Sequence, residues 1–149
     1  MQLKSQLIWL LCGTIAAIAV GWVAALIHAS GHAPIGLVSL GVGALLGAIV
    51  GRIAATLRVA GLWPLILGTL LLAIVTIAAE HAWLYRDFCG QWQEARMKSA
   101  AVAMFREENP PSPRVYFARE VNARLWVADA ALIAAAAVGV VVVGRRYWR

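Results

Sequence analysis

The chain has 149 residues, 62% of them hydrophobic and 13% charged, and a formal net charge of +6. Soluble domains carry about 25% charged residues, so this composition excludes an ordinary water-soluble globule. A basic balance of this size is a common mark of nucleic-acid binding, but the placement of the charges removes that reading.

Four apolar runs, at about 6–29, 35–57, 63–82 and 125–143, each reach the roughly 17–25 residues that cross about 30 Å of hydrocarbon as a helix. They predict an all-α polytopic membrane protein, a single membrane domain over 1–149 with four transmembrane helices. Lys4, Arg52, Arg58, Arg145, Arg146 and Arg149 flank the runs on one side, where no acidic residue occurs. The stretch 80–129 carries seven basic and seven acidic residues and is neutral. By the positive-inside rule both termini are expected in the cytoplasm, which suits a bacterial inner membrane. Attraction to anionic headgroups accounts for the basic side, so the expected partner is the lipid bilayer and not nucleic acid.

Taken in chain order, the first run places Trp9 near the inner interface and Trp22 near mid-depth. The Trp22 indole N–H would lack a partner in lipid, so Trp22 is expected to face a neighbouring helix. This run exceeds the 7–15 residues of a signal-peptide core and reads as a retained anchor. Cys12 and Cys89 fall at opposite faces, beyond the roughly 7 Å Cα reach of a disulfide, and read as buried apolar thiols. The segment from His28 to Pro34 breaks the helix at Gly31 and offers Pro34 to the first turn of the next. A loop this short makes the first two spans antiparallel neighbours.

In the second run every fourth residue is small: Ser39, Gly43, Gly47, Gly51 and Ala55. On a helix they form one smooth seam into which another backbone can settle. Glycines in this number would cost a helix in water roughly 1 kcal/mol each, but lipid leaves the backbone no other partner, and close van der Waals approach is what joins helices there. This glycine zipper is the predicted packing face.

Trp63 and Pro64 start the third run, and Trp83, Tyr85 and Trp126 mark the opposite interface. From Tyr85 onward apolar residues recur at Phe88, Trp92, Ala95, Val102 and Phe105 with helical spacing. Asn109-Pro-Pro-Ser-Pro113 must end that helix. An extracytoplasmic helical hairpin is therefore expected over 84–124. It projects if the third helix is continuous to Glu108, reaching roughly 65 Å, or lies flat on the membrane if it bends at Gly90. The stripe of Phe88, Trp92, Val102 and Phe105 exceeds what the returning arm covers, and such surplus marks a docking face for a membrane-protein partner or a second copy.

Chemistry has one candidate location. His28, His32 and His81 fall at the outer interface with Glu80 and Asp129, and histidine with carboxylate is a ligand set for zinc-like metals or a proton relay. Asp129 lies within the fourth run and needs a partner, for which Arg124 or a residue of the third run is expected. No nucleophile elbow, zinc-protease helix or phosphate loop occurs. The sequence therefore points to a non-enzymatic accessory or scaffolding subunit that docks a partner through its hairpin and needs no cofactor. A small transporter or metal- or proton-handling protein is the alternative.

Overall fold

A computed structural model describes residues 2–30, 36–99, 104, 109–120 and 123–147. Among them the regular structure is entirely helical: α1 Gln2–Ala29, α2 Leu37–Thr56, α3 Leu62–Lys98, α4 Pro113–Glu120 and α5 Ala123–Gly144. Four of these, α1, α2, α3 and α5, are long and apolar enough to cross a membrane, as the four runs predict.

Small residues decide which helices meet. A Cβ on Gly43 would strike the Ile133 carbonyl oxygen, and one on Gly47 would stand 2.5 Å from that of Ala137. Ser39 meets Asp129 at one end of the same line. The α2 seam therefore lies on the backbone of α5, and because both numberings advance together the two helices are parallel. Ser39, Gly43, Gly47 and Gly51 are buried and Ala55 is half-buried.

A second seam holds α1 to α3. Gly13, Ala17, Gly21 and Ala25 recur at every fourth position and are all buried. A Cβ on Gly21 would strike the Thr76 carbonyl oxygen, and one on Gly13 would press into Leu72. These two helices are also parallel. The bundle closes with α1 against α2 and α3 against α5, whereas α2 and α3 touch only lightly although residues 57–61 join them directly. The small face of α2 is committed to α5, which leaves α3 to α1.

Large apolar side chains point away from both seams, among them Leu11, Ile15, Leu45, Leu67 and Ile74. In water that would be untenable. Against lipid tails it costs nothing, and the four spans present such a surface.

The tryptophan expectation holds only in part: Trp22 does meet a neighbouring helix, but at the surface, 46% exposed. Trp9, not Trp22, enters the bundle: it is 1% exposed, its Nε1–H donates to the Val50 carbonyl at 2.9 Å, and its ring lies over Gly68, where no side chain blocks it. Trp22 lies on the surface beside Trp83, ring centroids 6.3 Å apart, at the level of the aromatic belt. Cys12 likewise faces outward instead of being buried. Trp9→Phe keeps the ring and removes the donor, and is expected to cost about 1 kcal/mol, the scale of an interhelical hydrogen bond in a membrane. Trp9→Ala also opens a void and should cost about 3–5 kcal/mol. Unfolding titrations in mixed micelles measure both; equal losses would mean that the bond contributes everything and the ring nothing.

α2 ends in a paired turn, Val59 N–H to the Ala54 carbonyl at 2.9 Å and Arg58 N–H to Ala55 at 3.1 Å. This Schellman closure puts Arg58 in the left-handed region, φ 52, where glycine is usual. α3 then runs without interruption through Gly90 to Lys98, so the bend considered at Gly90 is absent. Its 37 residues span roughly 55 Å. Continuity to Glu108 concerns residues outside the described set, as do Gly31 and Pro34.

Candidate functional site

The polar residues within the spans gather at the end of the bundle away from both termini, here the distal end. The parallel pairing dictates this, because the last turns of α1, the middle of α3 around Glu80 and the first turns of α2 and α5 all reach that end.

Glu80, on α3, is 4% exposed, and its Oε1 is 2.5 Å from His28 Nδ1 of α1. The Gly21 seam makes the contact possible by bringing α1 onto the backbone around Thr76–Glu80. A carboxylate removed from water needs a donor, and the His28 ring supplies it. Across the bundle Asp129 accepts from Ser39 Oγ at 2.7 Å. Among the described side chains the partner is therefore a hydroxyl from α2 and not a residue of the third span; the Arg124 side chain lies outside the described set.

His81 stands apart from both pairs. One residue beyond Glu80, its ring turns toward α4 and α5, where Nδ1–H donates to its own helix at the Ile77 carbonyl, 2.9 Å away. The ring packs edge-on against Trp126, 5.9 Å between centroids, and beside Phe117 at 5.8 Å. These three and Ile74, Ile77 and Ala130 line an apolar cleft of about 480 Å³. His28 and His81 thus serve different surroundings, and His32 lies outside the described residues. Among the described residues no three histidine, cysteine or carboxylate side chains converge as metal ligands would.

The arm of α3 beyond the bundle makes the second feature. Tyr85 donates to the Pro111 carbonyl at 3.0 Å, Phe88 packs on Tyr116 at 4.7 Å, and Trp92 lies 5.7 Å from Phe88. α4 is thereby laid against α3. Phe88 and Trp92 are half-buried, so part of the stripe expected for docking is spent on the returning chain. Val102 and Phe105 lie outside the described residues. What stays open is Met97, 83% exposed, and Met104, 84% exposed, the first ahead of both in sequence and the second between them. The polar face of the arm is laced by local pairs, Lys98 with Glu94 at 2.5 Å and Gln91 with Asp87 at 2.8 Å.

Sequence reasoning missed the α1 seam and the Trp9–Val50 bond. The first was present as Gly13-xxx-Ala17-xxx-Gly21-xxx-Ala25 and could have been found by the rule that found Ser39–Ala55. Comparison with protein-family models, curated proteins and solved structures finds no match.

Proposed function

We propose that the protein is a non-enzymatic accessory or scaffolding subunit of a membrane assembly, docking its partner through the distal arm. The observation that carries this is the reach of α3: it runs roughly 25 Å further than about 30 Å of hydrocarbon requires, and the excess is built as an aromatic platform braced by α4. Membrane insertion needs none of it. At its end stand exposed methionines, whose flexible thioether side chains adapt to a partner surface. The non-catalytic half of the reading is supported by the polar groups of the distal end, where His28 holds Glu80 and Ser39 holds Asp129. With the distal end outside, both termini face the cytoplasm, and the bilayer is the cytoplasmic membrane.

The test is cross-linking in intact membranes from a photoreactive residue at Met97, with Leu71, a lipid-facing position, as control. One discrete adduct from Met97, lost when Met104 is also changed to Ser, is expected; an adduct of twice the chain mass identifies a second copy as the partner. No adduct from Met97, or the same adducts from Leu71, overturns the reading.

One observation favours a second reading, a proton- or ion-handling role at the distal end: Glu80 is a buried carboxylate joined to a titratable ring. This reading requires uptake into vesicles that Glu80→Gln abolishes.

A further inference from the structure

At the opposite end of the bundle, where both termini lie, a groove opens between the end of α2, the 57–61 turn and the end of α5. It encloses about 400 Å³. Its floor is Gly51, Ala54 and Ala55, whose small side chains leave the space, and Val141 walls it. At its rim stand Arg58, from the turn, and Arg145, immediately after α5. No acidic residue occurs in 1–79 or 130–149, so no neighbouring side chain of these stretches supplies a counter-charge to the two guanidinium groups.

We propose that this groove binds one anionic phospholipid, its phosphate held between Arg58 and Arg145 and an acyl chain laid along the floor. The chemistry of the two parts selects that class of ligand. Guanidinium groups match phosphate oxygens in pairs, and basic pockets between helices at a membrane face are suited to acidic headgroups. The apolar floor gives nothing to a free phosphate ion and a great deal to a hydrocarbon chain. Depth agrees, since Trp63 and Tyr147, exposed at this end, are residues of the headgroup layer.

The backbone adds an independent reason to look at Arg58. A non-glycine residue in the left-handed region brings its Cβ too close to the following carbonyl oxygen, and Arg58 occupies that position at φ 52. Arginine there carries a local penalty that a gain elsewhere offsets, and a bound phosphate is such a gain. The proposal is independent of the docking reading of the distal arm.

The full chain, purified in a neutral detergent, is titrated with dioleoyl phosphatidylglycerol, dioleoyl phosphatidylcholine and inorganic phosphate, and bound species are counted by native mass spectrometry. One phosphatidylglycerol per chain is expected, with phosphatidylcholine much weaker and phosphate unable to displace it. Arg58→Gln with Arg145→Gln should weaken it roughly twenty-five-fold, two charges each contributing a factor of about five. Arg52→Gln with Arg146→Gln, basic residues of the same end that do not line the groove, should change it little. Arg58→Gly is the decisive single variant, because glycine adopts the left-handed turn freely and a loss of about fivefold cannot come from misfolding. Equal loss in the two double variants would reduce the site to diffuse charge. Undiminished binding by Arg58→Gly, equal binding of phosphatidylcholine, or displacement by phosphate would each overturn the proposal.

Discussion

Gly43→Ala is expected to destabilise the bundle by about 1–3 kcal/mol, while Gly41→Ala, two residues away on the same helix, leaves it unchanged or slightly more stable. Helix propensity improves equally at both positions, by up to about 1 kcal/mol, and cancels from the comparison. What differs is the neighbour. A Cβ on Gly43 enters the backbone of α5 at Ile133, whereas one on Gly41 meets nothing within 4 Å. Backbone cannot rotate aside as a side chain can, so α2 and α5 must part along their whole seam. Gly47→Leu should separate them further, and Leu45→Ala on the lipid face is its proper control. Leu46 is unsuitable because it is fully buried and its truncation opens a cavity. Unfolding midpoints in mixed micelles give the answer, and equal behaviour of the two alanine variants would mean that α5 does not lie on this row.

That seam shows how far a sequence of this kind can be read and where reading stops. Ser39, Gly43, Gly47 and Gly51 share a helix face because of the helical repeat alone, so the existence of a packing row is a local property. Which helix fills it is not local. α1, α3 and α5 all offer apolar faces, and the choice of α5 depends on Ile133 and Ala137 presenting bare backbone opposite those glycines. The polar pairs follow from that choice. Asp129 could be seen to need a partner, but Ser39 becomes available only once α2 and α5 are parallel neighbours, 90 positions apart in sequence. Trp9 and Trp22 show the opposite failure. Depth alone made Trp22 the indole in need of a partner, whereas the space over Gly68 and the Val50 carbonyl decided for Trp9. The arm was visible as amphipathic periodicity, but the share of its stripe that Tyr116 would cover depended on how α4 packs.

The His28–Glu80 pair carries the other large expected effect. His28→Ala removes the donor and leaves a carboxylate 4% exposed with its hydrogen-bond partner gone; the His28 side chain is itself 35% exposed, so water partly replaces it and the cost should be about 1–3 kcal/mol. Glu80→Gln keeps a hydrogen-bonding side chain of the same shape without the charge and should cost far less, on the order of 1 kcal/mol. His28→Leu with Glu80→Leu removes the half-buried pair altogether and should recover most of the loss. A double-mutant cycle built from His28→Leu, Glu80→Leu and the two together, in mixed micelles, therefore gives a coupling of about 1–3 kcal/mol, and additive losses would show that the 2.5 Å contact contributes no net stability. The cycle also separates the two functional readings. If the pair serves only to register α1 against α3, the doubly substituted protein is stable and still forms the Met97 adduct with its partner. A doubly substituted protein that is stable, still forms that adduct, and yet fails in the cell would place the working chemistry at Glu80, and the arm would then be an anchor for a site at the distal end of the bundle.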